Sequence, residues 1–305
     1  MSNKVALFAG QGAQFVGMGK DLASDPEIAA LFEKASAVLG YDLASVCFEG
    51  PIENLTRSDH CQPAIFVVST ACFAAFRKRY PSVEFSAYAG LSLGEWSALH
   101  AAGVLDFEST VRVLEARGRF MQEACEQNPS GMVSVVKLDV DQVEEIAKAS
   151  GAHISNINSQ QQVVLSGTKE VLDKVVALVG ETKGRAIPLT VAGAFHSPFM
   201  EPARVRLAKV IQNIPFNSPK VPVLSNATGT FHKDDPAAIR EAMLAQVTGT
   251  VHWLDDILVS KADAFIEFGP GKTLTNLAKR IVPETPGANV QDLATLEAVS
   301  ALIGA

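Results

Sequence analysis

Phe85-Ser86-Ala87-Tyr88-Ala89-Gly90-Leu91-Ser92-Leu93-Gly94-Glu95-Trp96-Ser97-Ala98-Leu99-His100-Ala101-Ala102-Gly103 runs from a short apolar segment, through a serine bracketed by glycines, into a helix-length stretch. Phe85 to Ala89 predicts a buried strand, Gly90 to Gly94 a sharp turn, and Glu95 to Ala102 a helix ending at Gly103. Glycines two positions either side of Ser92 carry no side chain to block the close approach of strand and helix, so the serine can sit in a strained turn. The helix start beneath it offers free N–H groups, Leu93 foremost, to a developing oxyanion. An ordinary serine in a glycine-rich turn is the plainer alternative; strand before and helix after favour a nucleophile.

Outward from this stretch the chain keeps an α/β rhythm. Lys4 to Ala9 and Val221 to Leu224 are further β-type runs separated by helix-length segments. Between Pro129 and Val191 the order changes. Met132–Leu138, His153–Asn156, Gln162–Ser166 and Ala186–Thr190 read as strands, and Val140–Ala149 and Lys169–Gly180 as helices. That βαββαβ order predicts a ferredoxin-like unit inserted in a larger α/β domain. The expected boundaries are 129–190 for the small domain, and 1–128 with 191–305 for the large one.

The 305 residues are 48% hydrophobic and 19% charged, enough to bury a large core and too apolar for disorder. A net charge of -7 argues against nucleic acid as a main partner. The longest apolar stretch, Ala64 to Phe76, is broken by Ser69 and Thr70 and falls short of the roughly 20 residues that span a membrane. With only a short apolar run near the start, Val5 to Phe8, and no secretory pattern, a cytoplasmic protein is expected, with no membrane partner. Cys47, Cys61, Cys72 and Cys125 lack paired metal spacing, so no metal is expected, and buried small hydrophobes are the better reading than disulfides.

A serine hydroxyl needs a base to take its proton. His60, His100, His153, His232 and His252 sit in polar or helical surroundings and suit structural or surface roles. His196 stands in the small-residue loop Val191-Ala192-Gly193-Ala194-Phe195-His196-Ser197-Pro198, which can bring a ring into a cleft or leave it solvated. The loop Gly10-Gln11-Gly12-Ala13-Gln14 fits neither nucleotide pattern. Phe15 replaces the third glycine of the dinucleotide motif, and Met18 stands where a Walker lysine would. Its backbone N–H at Gln11 is a natural second oxyanion donor.

On a helix from Val111 to Cys125, at about 100° per residue, Val113, Leu114, Phe120, Met121, Ala124 and Cys125 share one face. Arg117 falls in the middle of it. A guanidinium there needs an anion, since an uncompensated buried charge costs several kcal/mol. The anion is either an internal Asp or Glu or a carboxylate on the acyl group, clamped bidentately.

Together these residues resemble malonyl-CoA:acyl-carrier-protein transacylases through nearly the whole chain. Gly10-Gln11-Gly12, Gly90 to Glu95, Arg117-Gly118 with Met121, Asn156 with Asn158, Ser166-Gly167 and Phe195-His196-Ser197 match that family in order. Asn226, Gln246, Val251 with Trp253, and Glu267 before Gly269-Pro270-Gly271-Lys272 continue the match. The resemblance implies an α/β-hydrolase-like large domain with the ferredoxin-like insert. It also implies a two-step reaction in which His196 activates Ser92, malonyl-CoA acylates it, and the phosphopantetheine thiol of acyl carrier protein removes the malonyl group. Gln11 and Leu93 would then form the oxyanion hole, Arg117 and Phe195 would bind substrate, and the main-chain carbonyl of Gln246 would orient His196. No cofactor is implied, because malonyl-CoA is a substrate and the carrier brings its own phosphopantetheine. No Asp or Glu stands out as a third catalytic group.

Leu91 stands where the family usually has His, Thr250 where it often has Pro, and Ala9 where a Pro is common. Phe195 resembles the malonyl rather than the branched methylmalonyl pattern. A serine acyl hydrolase, a trans-acting polyketide acyltransferase and a non-catalytic carrier-binding module are the rival readings. Arg77, Lys78 and Arg79, or Lys183 and Arg185, are candidate contacts for an acidic carrier or else ordinary solvated charge.

Overall fold

The computed structural model describes residues 3–304. Ten strands run β1 Lys4–Phe8, β2 Ala87–Gly90, β3 Gly131–Val136, β4 His153–Ser159, β5 Gln162–Gly167, β6 Arg185–Pro188, β7 Leu224–Ser225, β8 Thr230–Phe231, β9 Ala264–Phe268 and β10 Gly287–Val290. β10-β9-β1-β2 form a parallel sheet. β1, β2 and β9 are buried on both faces, which is why β1 and β2 read as nearly unbroken apolar runs. Ala6 and Phe8 of β1 pack towards helix Ser58–Arg79, while Val5 and Leu7 pack with helices Trp253–Ser260 and Thr273–Ile281. Phe268 meets Phe73, Phe76 and Phe85 edge-on at ring separations of 5.1, 5.2 and 5.9 Å. Each such pair adds about 0.5–1.5 kcal/mol beyond its buried area.

The second sheet, in the order β4-β5-β3-β6, is antiparallel throughout. Val133, Val135, Val163 and Leu165 face Val143, Ile146, Val175 and Val179 of the two helices Val140–Ser150 and Lys169–Gly180. The alternate residues Met132, Ser134 and Val164 point the other way and line a cleft. The backbone of Val251 joins this unit to the rest, donating to Ser155 O and accepting from Ile157 N, and the Thr250 hydroxyl donates to Ile154 O at 2.7 Å. A proline at 250 would lack that hydroxyl.

Several element boundaries depart from the sequence reading: β2 starts at Ala87 and not Phe85, β3 ends at Val136 and not Leu138, and β4 runs on past Asn156 to Ser159. Helix Leu93–Ala101 begins two residues earlier than Glu95, with Ser92 as its cap. The strand expected at Val221 to Leu224 shrinks to β7 and one bridge at Val223, because Pro222 has no N–H to donate. β6 ends at Pro188 rather than Thr190. The apolar stretch Ala64 to Phe76 lies in the core within helix Ser58–Arg79, and among the described residues no helix is long and apolar enough to cross a membrane. All four cysteines are buried and unbridged.

Candidate active site

β1 and β2 lie side by side and parallel, with Phe8 opposite Gly90, so the loops leaving their carboxyl ends emerge together. That edge is where open α/β sheets place ligands. The turn after β2 is as tight as its sequence suggests. A Cβ on Gly94 would lie 2.1 Å from the Phe8 carbonyl oxygen, so only glycine lets the helix start against β1. Ser92 itself is held at φ 57°, ψ -101°. Such backbone costs about 1–3 kcal/mol and persists only where neighbours over-determine it. Asn226 does so here: its Oδ1 accepts from Ser92 N at 2.7 Å and its Nδ2 donates to Gly90 O at 2.9 Å.

Ser92 opens on a cleft of about 680 Å³ between the two sheets, lined by Gln11, Leu91, Asn156, Phe195 and His196 among others. Leu91 adds an apolar wall and no polar group beside the serine. His196 Nε2 lies 2.8 Å from Ser92 Oγ, and its Nδ1 lies 2.8 Å from the Gln246 carbonyl oxygen. A carbonyl can only accept, so Nδ1 carries the proton and Nε2 is left as the acceptor for the serine hydroxyl. His196 also has positive φ, 55°. Its loop is tied to the small sheet where Ser155 Oγ donates to the Phe195 carbonyl at 2.8 Å.

Arg117 is buried, and it meets only neutral acceptors. Nη1 donates to Gln62 Oε1 at 2.7 Å, and Nη2 donates to Gln246 Oε1 and to Ser92 Oγ, both at 3.0 Å. No carboxylate comes within 4.0 Å of it among the described residues, so the internal ion pair considered above does not form. Gly118 makes this placement possible. A Cβ there would lie 2.1 Å from Ser58 O, so the helices Phe107–Gln127 and Ser58–Arg79 cross closely enough for Arg117 to reach Gln62. Burial pulls the guanidinium down to about 10, with Glu95 opposing, which leaves it charged at neutral pH.

The N–H of Ser92 is spent on Asn226, whereas those of Gln11 and Leu93 enter none of the loop, turn or side-chain hydrogen bonds of the described residues. Every predicted site residue therefore gathers at one end of the cleft or directly behind it. Gln62, Glu95 and His232 are also part of this cluster, and the sequence reading gave them no role there. Gln62 was legible as a lone amide in an apolar helix; Glu95 and His232, joined at 2.7 Å, stand 137 positions apart and meet only in space. Arg77, Lys78 and Arg79 close the far end of helix Ser58–Arg79, roughly 30 Å from Ser58 at 1.5 Å per residue. Lys78 and Arg79 there pair with Asp25, Glu27 and Glu297. Among the described residues no group of three or more His, Cys, Asp or Glu is placed to hold a metal ion.

His196 is pushed down to about 4, first by burial and then by the Arg117 charge, against the Gln246 carbonyl. The imidazole is therefore neutral above about pH 4, and protonation removes its accepting nitrogen only below that. The acylation kcat/KM should stay flat from pH 8 down through the ordinary histidine value of 6.5 and fall only towards about 4. Rapid-quench acylation across pH tests this, and an acid limb near 6.5 would contradict it.

The family model for the acyl transferase domain matches residues 5–299. The chain belongs to the acyl transferase family. Within it, the chain is similar to the malonyl CoA-acyl carrier protein transacylase of Haemophilus influenzae, 36% identical with 98% of each chain covered. The crystal structure of malonyl CoA-acyl carrier protein transacylase from Clostridium perfringens superposes with a TM-score of 0.94 at 36% identity, covering 99% of this chain and 98% of that one. A malonyl-transacylase solved in complex with its type II polyketide acyl-carrier protein gives 0.92 at 35% identity, with both chains wholly covered.

Proposed function

We propose that this chain transfers a malonyl group from malonyl-CoA to the phosphopantetheine thiol of acyl carrier protein, through a malonyl ester on Ser92, to supply fatty-acid synthesis in the cytoplasm. The observation that carries this reading is a buried arginine without a carboxylate partner, 3.0 Å from the serine oxygen. A charge so placed suits an acyl group that brings its own carboxylate.

In the first half-reaction Ser92 Oγ attacks the thioester carbon while His196 Nε2 takes the hydroxyl proton. The carbonyl oxygen becomes an oxyanion, held by the N–H groups of Gln11 and Leu93. Collapse breaks the C–S bond, and His196 returns its proton to the departing CoA sulfur. In the second half the carrier thiol gives its proton to His196 and attacks the ester, and the proton passes back to Ser92. The Gln246 carbonyl keeps the imidazole in the required tautomer, although it stabilises imidazolium less than a carboxylate would. Phe195 narrows the acyl pocket. No cofactor enters the scheme.

The unit 129–190 is read as a ferredoxin-like domain inserted between 1–128 and 191–305 of an α/β-hydrolase-like domain. Its strand order and the two helices on one face support that reading.

Labelled malonyl-CoA mixed with the protein and a carrier protein tests the activity: label should reach the carrier, and label passing to water would mark a hydrolase. Truncating Arg117 to Ala tests the acyl choice. The incoming carboxylate would enter a largely dry pocket unpaired, at a loss of about 2–5 kcal/mol, or tens-fold to thousands-fold in kcat/KM. Acetyl-CoA has no such group to desolvate and should lose little. Equal losses on both substrates would return Arg117 to a structural role.

A further inference from the structure

Glu95 is a buried carboxylate that the reaction above leaves without a task. It sits in the first turn of helix Leu93–Ala101, and the groups that reach it all donate. His232 Nε2 donates to Oε1 at 2.7 Å; Gln246 Nε2 donates to Oε2 at 2.5 Å, and Asn226 N at 3.3 Å. The same Gln246 amide donates to the Ser92 carbonyl at 2.9 Å and, through Oε1, accepts from Arg117 at 3.0 Å. Its main-chain oxygen accepts from His196. One glutamine thus touches the nucleophile's backbone, the base and the arginine, and Glu95 together with the Ser92 carbonyl fixes which way round its amide lies.

A carboxylate directly on Arg117 would neutralise it and occupy the donors an acyl carboxylate needs. A site with no nearby carboxylate would leave a buried guanidinium uncompensated. An amide between the two avoids both outcomes. It passes the donor–acceptor polarity across while the charges still attract through a low-dielectric interior. The effect of Glu95 on Arg117, opposing the shift caused by burial, has the expected sign.

We propose that Glu95 is a positioning and specificity-determining residue: it holds the Gln246 side chain with its oxygen towards Arg117 and supplies the counter-charge one amide away, leaving the guanidinium free for the carboxylate of the incoming acyl group. This rests on the acyl-transfer reading above.

In Glu95→Gln, one oxygen becomes an NH2. The arginine loses its counter-charge whichever way the new amide lies, and with that NH2 facing Gln246 the glutamine amide is also pushed away from the orientation in which it donates to the Ser92 carbonyl and accepts from Arg117. The measured quantity is the ratio of acylation kcat/KM for malonyl-CoA over acetyl-CoA, from rapid-quench intact mass. It should fall about tenfold or more, beyond any loss shared by both substrates. The double variant Glu95→Gln with Gln246→Glu restores the match between residues 95 and 246 only, since the Ser92 carbonyl loses its donor, and it sets a carboxylate directly on Arg117. It should not regain the malonyl preference. A wild-type ratio in Glu95→Gln, or a restored malonyl preference in the double variant, overturns the proposal. Should Glu95→Gln fail to fold, Gln246→Met removes the amide and keeps the carbonyl that orients His196. The same lowered ratio is then expected, and an unchanged one overturns the proposal. Because acylation alone is read, a wild type that passes its acyl group to water refutes the transfer reading and not this one.

Discussion

Ser92→Ala should leave a folded protein that forms no malonyl adduct and transfers nothing, a loss of about 10,000-fold or more. Only the acylated atom disappears. Alanine meets the same positive φ as serine, and the elbow is still held through Asn226, which bonds the backbone of residue 92 and not its side chain. Arg117 loses one acceptor of three and keeps Gln62 and Gln246. Intact-mass analysis after malonyl-CoA, beside a melting curve, separates chemistry from folding. A malonyl adduct persisting on the alanine variant would remove Ser92 from the mechanism.

His196→Ala should cost acylation several orders of magnitude, because nothing else within reach of Ser92 Oγ can take a proton. Its other neighbour there, Arg117 Nη2, is a donor. The residual reaction should depend on hydroxide and rise about tenfold per pH unit, where the wild type is flat. That slope distinguishes loss of the base from a general loosening of the site, which would lower the rate and keep the profile. Near-normal acylation by rapid quench would show that the imidazole is not the base.

Much of this site was legible in the chain because its parts are local. The elbow needs only a strand, two glycines and a helix start, all within Phe85 to Gly103. Arg117 declared itself by interrupting an apolar helical face, an argument that periodicity supplies without knowledge of any neighbour. The second sheet's order of strands and helices was readable for the same reason, since each element is set by its own pattern of burial.

What the chain could not disclose was the pairing of groups far apart in sequence. Whether Arg117 met an internal carboxylate or waited for one depended on which side chains the crossing at Gly118 brought beside it, and these proved to be Gln62 and Gln246. Glu95 stands only three residues from Ser92, yet it reaches the site through Gln246 and the Asn226 backbone and not as a partner of His196. The sequence by itself determined the turn around Ser92, the loop that carries His196 and the presence of a buried cation. Only the tertiary structure decided how that cation is balanced, because hydrogen bonds and charge compensation depend on distances of a few ångströms between helices and strands that local patterning does not encode.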